Sequence, residues 1–487
     1  MLFNSVFFIT VFLPLILVGW FALQRLENAT YAKLFLLGMS LWFYGYYNAW
    51  YLVILVASLL LNYGCSVLFE KCRQGAAAKA VLLGGIFGNV GILFYFKYFN
   101  FFIDNCNYFL HTDIQLERIA LPLGISFFTF QQLSFIIDRY KEDSPHYNWL
   151  DYACFVTFFP QLVAGPIVLH SEFLPQLQAR QNRRVQWEGF FDGTALFILG
   201  LGKKVLLADV LSILVNAEFN NISYLDAFSA WITIICYMLQ LYFDFSGYCD
   251  MARGIGKMMG FQLPENFNSP LMAVSVTDFW RRWHMTLSRF LTTYIYIPLG
   301  GNRKGKVRQC CNIMIVFLVS GFWHGANWTF VVWGLLHGIA RVWEILLPKL
   351  RFPWQWMNRL CTGIFVTLTF AIFRSDSLEQ AGMLFQKLFM GGNKNFFPAM
   401  CNVFLIPENY ALRKLLSMKA PQYLNGLFIG CVVLLIGMAL WFVRGKRAEQ
   451  WIEEKGRTLR GLLCIATIFT WAFISLSQVS TFLYFNF

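Results

Sequence analysis

Long stretches of the chain carry no charged side chain, and their lengths predict membrane-spanning helices. The uncharged runs are 1–24, 34–69, 119–137, 309–340, 420–443 and 461–487. A spanning helix needs about 20 predominantly apolar residues, so 34–69 can hold two, with a turn at Tyr46, Tyr47 and Asn48. Residues 5–23 lack the basic start of a secretory signal and are predicted to form a retained helix. Together with 80–96, 190–215, 227–243 and 358–373, the pattern predicts roughly ten to twelve spans.

Two further segments are predicted to pack inside the protein without spanning cleanly. The 150–170 stretch is apolar but contains Pro160 and Pro166, which favours a re-entrant or interfacial segment. The 249–289 stretch mixes aromatic, acidic and basic residues, as expected of non-helical backbone shielded from lipid. No repeat, low-complexity stretch or appended soluble domain is visible, so 1–487 is predicted to be a single membrane domain.

The composition supports the prediction of an all-α polytopic membrane protein. The 487 residues are 58% hydrophobic and only 13% charged, whereas soluble domains carry about 25% charged residues. A soluble surface cannot be built from so few charges, so the apolar surface is expected to face membrane lipid.

The net charge of +13 indicates membrane topology and not nucleic-acid binding, because the basic residues gather in short loops. These loops contain Lys71, Arg73 and Lys79; Arg180, Arg183 and Arg184; Arg303, Lys304, Lys306 and Arg308; and Arg444, Lys446 and Arg447. Basic loops mark the cytoplasmic side of a membrane. That orientation places both termini outside with 97–118 and 216–226, two segments that together carry five acidic and two basic residues.

The strongest chemical signal is His324, which lies inside the uncharged run 309–340. Ionisable side chains within spans are rare and suggest function, and imidazole is a natural general base near neutral pH. Gly321 and Gly325 would leave space for a substrate beside the ring. Equally, this G-x-x-x-G pair can bring two helices close around a packing histidine. From the residues alone, the catalytic and structural interpretations have equal weight.

A metal site is not expected. On one continuous helix His337, 13 residues after His324, would lie on nearly the opposite face. The chain has no H-x-x-x-H or H-E-x-x-H spacing, and its twelve cysteines have no C-x-x-C spacing. The cysteines are therefore expected to be small buried hydrophobic residues. The absence of nucleophile-elbow and phosphate-loop motifs disfavours a serine hydrolase and an ATP-driven transporter.

A second group of candidates lies in 240–289. Arg281 and Arg282 lie near His284 and could hold a phosphate or carboxylate. Trp and Arg are also typical of the headgroup boundary of a membrane. On composition alone, this interpretation as an interfacial anchor is favoured. Asp244 ends an apolar run and is expected to orient a histidine or neutralise an arginine, with structural support favoured. Further supporting candidates are Asn266, Asn268 and Gln240.

These motifs, taken in order, resemble the membrane-bound O-acyltransferase family, and in particular its bacterial alginate O-acetyltransferase branch. The matching blocks are 1–5, 122–131, 159–166, 242–248, 263–268, 279–284, 296–301, 321–325 and 482–487. The resemblance implies a multi-helical fold with a central tunnel, where a cytoplasmic acyl donor meets an outward-facing acceptor. It assigns the active-site histidine of the W-H-G block to His324 and its partner, from W-R-R-W-H, to His284.

The family resemblance also implies a reaction. An acyl group, with acetyl favoured, would move from acetyl-CoA or another thioester to a hydroxyl of an extracytoplasmic polysaccharide or a partner protein. The expected setting is the lipid of the bacterial cytoplasmic membrane, with a secreted acetyltransferase as partner and no covalently bound cofactor. His324 would be the general base, and His284 would polarise the thioester carbonyl or orient the donor. The expected supporting residues are Asp244, Asn266, Asn268, Arg281, Arg282, Trp323 and Asn327.

Two alternatives remain open. Teichoic-acid D-alanyl transferases share the W-H-G histidine and use a carrier-protein donor. A transporter or flippase of an acylated intermediate would also contain broken helices and intramembrane polar residues, although no inverted repeat is apparent. A scaffold for a secreted partner would leave both histidines unexplained.

Overall fold

The chain is helical throughout the part that the computed structural model describes. The described residues are 1–72, 75–115, 118–141, 147–179, 184–348, 352–390, 410–420, 423–444, 447–478 and 482–483. They contain no β-strand, which confirms the predicted all-α fold. Of the basic loop residues, Arg73, Arg180, Arg183 and Lys446 lie outside the described part.

Twenty-two α-helices follow one another in the described residues. The first eleven are α1 (Leu13–Gln24), α2 (Thr30–Gly45), α3 (Trp50–Lys71), α4 (Ala76–Leu93), α5 (Phe99–Leu110), α6 (Ile125–Tyr140), α7 (Trp149–Thr157), α8 (Phe159–Leu162), α9 (His170–Gln178), α10 (Trp187–Gly202) and α11 (Asp209–Phe219). The others are α12 (Ala227–Met258), α13 (Val276–Trp280), α14 (Met285–Leu291), α15 (Gly305–His324), α16 (Trp328–Leu346), α17 (Gln355–Arg374), α18 (Leu378–Met390), α19 (Tyr410–Lys419), α20 (Leu424–Arg444), α21 (Ala448–Trp451) and α22 (Leu459–Ile474).

Five helical stretches in the described residues are long and apolar enough to cross a membrane. They are Trp50–Lys71, Ala76–Leu110, Ala227–Met258, Trp328–Leu346 and Gln355–Arg374. Shorter apolar helices cover Phe8–Gln24, Gly426–Gly437 and Leu459–Ile474. The prediction that 34–69 divides into two helices is confirmed by α2 and α3. The total of ten to twelve spans stays a prediction.

Helix α12 occupies the centre of the molecule. Of the apolar 18-residue stretch within this helix, 78% is buried inside the protein. The helix continues to Met258, well past residue 243, where hydropathy predicted its end. The polar residues beyond 243 stay helical because they pair with neighbouring helices. Lys203 Nζ lies 2.6 Å from Asp250 Oδ2, and Arg253 lies 2.7 Å from Glu449 Oε2. The polar interruption predicted from 249 therefore begins about ten residues later than expected.

Helices α4 and α5 form one long rod, joined by a π-helical turn at Phe94–Tyr98. The rod has 35 residues and is about 50 Å long, whereas the bilayer core is about 30 Å thick. The sequence placed residue 97 at the start of an outer segment. In the structure Lys97 is buried and lies inside the continuous rod, so the predicted span boundary at residue 96 is not a helix end.

Helices α15 and α16 form a tight hairpin. Helix α15 ends at His324, Gly325 is extended, and α16 begins at Trp328. The helix therefore breaks between His324 and His337, so the opposite-face geometry of one continuous helix does not apply to them. A Cβ atom at Gly321 would overlap the carbonyl oxygen of Phe330, and one at Gly325 would overlap the Phe330 ring. The space expected beside these glycines for a substrate is filled by α16, so the glycines serve helix packing.

The 150–170 segment is broken and buried, as its prolines predicted. Helices α7 and α8 are separated at Phe158, and the residues from 151 to 168 are buried in the protein. Gly124 packs against this segment with a φ of +72°. A Cβ atom there would come within 2.7 Å of the Leu162 carbonyl oxygen, so both the backbone conformation and the close approach favour glycine.

Candidate active site

His324 ends helix α15, and its ring lies within an aromatic enclosure. Only 3% of the residue is exposed. The ring centroids of Trp323, Trp333 and Phe373 lie 5.0, 5.1 and 5.2 Å away. The ring centroid of His284 lies 6.4 Å away. The two histidines predicted from separate motifs are therefore neighbours at the centre of the protein.

His284 is held by Asn266 at the start of helix α14. Its backbone is left-handed, with φ 44° and ψ 53°, which costs on the order of 1–3 kcal/mol for a non-glycine residue. Its Nδ1 lies 3.1 Å from Asn266 Oδ1. The same oxygen accepts from the Thr286 backbone N–H at 3.2 Å and from its hydroxyl at 3.0 Å. Asn266 therefore fixes the His284 ring to the first turn of α14.

These contacts decide which nitrogen of His284 carries the proton. A backbone N–H only donates, so the Asn266 atom that faces Thr286 is the oxygen. His284 Nδ1 donates to that oxygen, and Nε2 then carries the lone pair of the neutral ring. Burial lowers the pKa of His284 to about 3, because the charged ring loses its hydration. Burial therefore favours the neutral ring.

His337 has the contacts of a structural histidine. Its Nδ1 accepts a hydrogen bond from Trp280 Nε1 at 3.2 Å, and its Nε2 lies 3.0 Å from the Thr369 hydroxyl. That hydroxyl donates to the Val366 carbonyl at 2.9 Å, so it accepts from His337. Both nitrogens serve helix packing. The described residues hold no group of three or more His, Cys, Asp or Glu placed to bind a metal ion.

His324 lines a small cavity, the histidine cavity, of about 40 Å³. Its walls are Lys97, the residues from Leu121 to Phe127, Val163, Trp323 and His324. A volume of this size has room for a few water-sized groups. The cavity joins the motif blocks at 122–131 and 159–166 to the W-H-G block, so three segments distant in sequence meet at one imidazole.

A larger cavity of about 280 Å³, the arginine cavity, runs along helix α15. Its walls include Arg281, Arg341, Gln309 and Ser320. From Gln309 to Ser320 the cavity follows α15 for about 16 Å. Ser320 lies one helical turn before His324. The cavity therefore extends from a region with two guanidinium groups to the turn that precedes the histidine.

The two predicted arginines differ in their surroundings. Arg282 Nε lies 2.8 Å from Asp278 Oδ1, and its guanidinium also reaches the carbonyl of Asn268 at 3.4 Å. The backbone N–H of Asn268 in turn donates to the carbonyl oxygen of Arg282 at 2.9 Å. Arg282 and Asn268 therefore brace the loop before His284. Of the pair, Arg281 is the one that lines the arginine cavity.

Asp244 lies in the middle of α12, and its ion pair is with a lysine. Its Oδ1 is 2.6 Å from Lys204 Nζ, which also binds Asp209 at 2.7 Å. Its Oδ2 accepts the backbone N–H of Leu483 at 2.9 Å. The expectation that Asp244 pairs with a histidine or an arginine is thus corrected. In the 482–487 block only Phe482 and Leu483 are described, and the rest lies outside the described residues.

Trp323 and Asn327 flank His324 and hold its backbone. The Trp323 ring stacks on Phe130 at 5.2 Å, and its Nε1 donates to the Ser126 carbonyl at 3.4 Å. Asn327 caps α16 by accepting from the Thr329 N–H at 3.1 Å, and its Nδ2 donates to the Asp376 carbonyl at 2.8 Å. Trp323 therefore walls the cavity, whereas Asn327 fixes the turn of the hairpin.

Three residues at the site were missed from the sequence. Lys97 and Tyr98 reach the carbonyl groups at the end of α15, and Arg341 lines the arginine cavity. Lys97 interrupts an apolar aromatic run, and an ionisable residue inside a span is itself a signal of function. The sequence ended the preceding span at 96, and this boundary hid that signal.

The chain matches known proteins over most of its length. Residues 16–374 match the family model described as MBOAT, membrane-bound O-acyltransferase family. A peptidoglycan O-acetyltransferase of Helicobacter pylori is 38% identical, with 100% of this chain and 98% of that protein aligned.

Two other relatives cover less of the chain. A probable alginate O-acetylase of Pseudomonas aeruginosa is 37% identical over 80% of this chain and 75% of its own length. A teichoic acid D-alanyltransferase of Bacillus subtilis is 26% identical over 51% of this chain and 65% of its own length. The similarity to the acetyl-transferring proteins is thus both higher and more extensive.

Proposed function

The chain belongs to the membrane-bound O-acyltransferase family, and from that premise we propose which groups it transfers and how. It is a membrane-bound enzyme that transfers acyl groups. In the proposal, an acetyl group passes from a cytoplasmic thioester, acetyl-CoA, to a hydroxyl of a polysaccharide outside the bacterial cytoplasmic membrane. A secreted acetyltransferase acts with it as partner. His324 is the general base.

The observation that carries this proposal is the position of His324 beside two cavities. The ring lines the histidine cavity, and the arginine cavity ends one turn away at Ser320. Under the proposed topology the loop 303–308 is cytoplasmic, and the arginine cavity reaches Gln309 beside that loop, on the proposed donor side. The histidine cavity adjoins the residues after α5, which the same topology places outside. In the proposal, donor and acceptor approach His324 through these two separate cavities.

The charge of the arginine cavity suits a phosphorylated donor. Arg281 and Arg341 both line it, and guanidinium groups bind phosphate oxygens with two parallel hydrogen bonds. Arg341 is oriented by Glu344, 3.2 Å away. Glu344 also accepts the backbone N–H groups of Val276 and Thr277 at 2.7 and 2.9 Å. The carboxylate is thus engaged with α13 as well as with Arg341.

The proposed reaction is a direct transfer. His324 takes the proton of the acceptor hydroxyl while that oxygen attacks the thioester carbonyl carbon. The tetrahedral intermediate collapses, the C–S bond breaks, and the imidazolium returns the proton to the leaving thiolate. General-base catalysis of this kind is worth roughly 10²–10⁴-fold. The remaining rate enhancement comes from holding both substrates in line within an enclosed site.

His284 is better suited to orienting groups than to polarising the thioester carbonyl. Polarisation needs a hydrogen bond donated to the carbonyl oxygen. Nδ1 of His284 already donates to Asn266, and the neutral ring has no second N–H. In the proposal His284 therefore accepts a hydrogen bond at Nε2 and fixes the position of a substrate group or of His324.

The central test is His324→Ala. We expect transfer of labelled acetyl groups to the cell-surface glycan to fall by at least about 10²-fold, because the general base is lost. Expression and the thermal unfolding temperature should be unchanged. The measurement is mass spectrometry of the glycan, together with kcat in membranes of known enzyme content. His337→Asn is the matched control, since this second buried histidine of the hairpin serves packing.

Full activity of the His324→Ala variant would end the proposal for this residue. Activity lost equally in both variants would point to a general loss of the hairpin structure. Transport of an acylated intermediate that is unaffected by His324→Ala would favour the flippase alternative.

The acyl group is tested separately. Membranes are incubated with labelled acetyl-CoA or with D-alanyl carrier protein, and label in the glycan is counted. The full-length similarity to the peptidoglycan O-acetyltransferase and the partial similarity to the D-alanyltransferase favour acetyl transfer. Labelling by the D-alanyl donor alone would replace acetyl with D-alanyl in the proposal and keep the role of His324.

A further inference from the structure

The long rod of α4 and α5 presents two side chains to the end of helix α15. Lys97 Nζ lies 2.6 Å from the carbonyl oxygen of Trp323 and 3.0 Å from that of His324. The Tyr98 hydroxyl lies 2.6 Å from the carbonyl oxygen of Phe322. Two adjacent residues of the π-helical turn therefore bind three successive carbonyl groups of the last turn of α15.

These contacts supply hydrogen-bond donors to carbonyl groups at the end of α15. The last four carbonyl groups of an α-helix have no partner within the helix, and the end carries a partial negative charge. Trp323 and His324 are buried, so bulk water does not satisfy their carbonyl groups. A buried ammonium group is equally costly unless it is hydrogen-bonded. The contact of Lys97 with this helix end provides hydrogen bonds both to the carbonyl groups and to the buried ammonium group.

Lys97 also connects His324 to the opposite wall of the histidine cavity. Its third contact is the Ser126 hydroxyl at 3.2 Å. The Ser126 carbonyl in turn accepts from the Trp323 indole N–H at 3.4 Å. One side chain therefore fixes the distance between the α6 wall, which holds Ser126, and the α15 wall, which holds His324.

We infer that Lys97 is a positioning residue for His324, which holds the end of α15 so that the imidazole faces the histidine cavity. This inference rests on the proposed function of His324. Lys97 does not act on the substrate directly, because an ammonium group has three N–H donors and three oxygens of the protein lie within 3.2 Å of its nitrogen. Its effect on the reaction passes through the backbone of α15.

The test compares substitutions at Lys97 with substitutions of the hydroxyl residues beside it. Lys97→Met keeps the length of the side chain and removes all three donors. We expect kcat to fall by about 10²-fold, the loss that a displacement of about 1 Å can cause. The KM for acetyl-CoA should stay within about threefold, since the donor does not touch Lys97. Lys97→Arg, which keeps charge and donors, should recover most of the rate.

Tyr98→Phe removes one hydroxyl and should lower kcat by roughly 2- to 10-fold, the effect of one net hydrogen bond. Tyr95→Phe is the matched control, because Tyr95 lies on the same π-helical turn and is 51% exposed. It should leave kcat unchanged. If Lys97→Met is not recovered as folded protein, the kcat values of Tyr98→Phe and Ser126→Ala test the inference in its place.

Unchanged kcat in Lys97→Met, or in both hydroxyl variants, would overturn the inference. So would a rise in KM that accounts for the whole loss, or a loss that Lys97→Arg does not recover at all. His324→Ala is measured in the same assay. If His324→Ala is inactive while Lys97→Met is fully active, the positioning role fails and the proposed function stands. If His324→Ala is active, the proposed function itself fails.

Discussion

At the level of single residues, the buried histidines differ in what surrounds their rings. His337 has both nitrogens engaged by Trp280 and Thr369, as a packing residue should. His324 instead lines a cavity within 6.4 Å of a second histidine ring. The sequence could not separate these cases, because hydrogen-bond partners come from helices distant in the chain. The choice between catalysis and packing at His324 depends on tertiary contacts.

Asn266 offers a test of how the His284 ring is oriented. Asn266→Ala should lower kcat by about tenfold, because the ring loses its Nδ1 acceptor. It should also reduce the free energy of unfolding by about 1–3 kcal/mol, because the Thr286 N–H is left buried without a partner. The measurements are kcat per folded enzyme and thermal unfolding in detergent.

Asn268→Ala is the control for that experiment. Asn268 contacts Arg282 through its backbone N–H and its carbonyl oxygen, so this substitution should leave both measurements nearly unchanged. An Asn266→Ala enzyme with full activity would show that the fixed ring of His284 is dispensable. Equal losses in both variants would indicate a disturbed loop.

The ion-pair partner of Asp244 could not be predicted from the residues near it in sequence. The carboxylate was expected to support the site through a histidine or arginine, yet it binds Lys204 and the backbone of Leu483. The lysine lies 40 positions earlier and reaches Asp244 because α10 and the turn that follows it pack against α12. Only the packing of these helices determines that partner.

At the level of helices, the charge-free pattern predicted the elements that face lipid better than those that face protein. The turn between α2 and α3 falls at the predicted position. The predicted end of α12 was wrong because its polar residues pair with other helices, and hydropathy does not register such pairing. The π-helical turn at Phe94–Tyr98 has no hydrophobic period of its own, so it could not be predicted.

The packing of the α15–α16 hairpin predicts a steric effect at Gly321. A methyl group there would overlap the Phe330 carbonyl oxygen, so Gly321→Ala should force the helices apart. We expect a loss of about 1–3 kcal/mol in the free energy of unfolding, and lower kcat, because His324 is one turn away. Thermal unfolding and transfer assays measure the two effects.

Gly363→Ala provides the contrast, since nothing lies within 4 Å of a Cβ atom at that position of α17. Alanine is the better helix former by about 1 kcal/mol, so this variant should be as stable as the original or more so. If Gly321→Ala were equally stable, the close approach of the two helices would not be needed.

At the level of the whole molecule, the described residues contain two cavities that both border α15. The central tunnel implied by the family resemblance stays a prediction. The positions of the charged loops predict which side faces the cytoplasm from the composition near span ends, and this orientation stays a prediction. The shapes of the cavities could not be predicted, because they arise where side chains from α6, α14, α15 and α16 meet.

This arrangement predicts that the enzyme accepts its acyl donor from only one side of the membrane. Acetyl-CoA is too polar to cross a bilayer, and the arginine cavity reaches Gln309, next to the loop 303–308, which is cytoplasmic in the proposed topology. Sealed inverted vesicles that enclose the acceptor glycan should therefore transfer label from external acetyl-CoA to the glycan in their lumen. Right-side-out vesicles should do so only after permeabilisation. Inverted vesicles with the His324→Ala enzyme measure the background. Transfer by intact right-side-out vesicles would reverse the assignment of donor and acceptor to the two cavities, because the thioester would then enter from the side of residues 111–124.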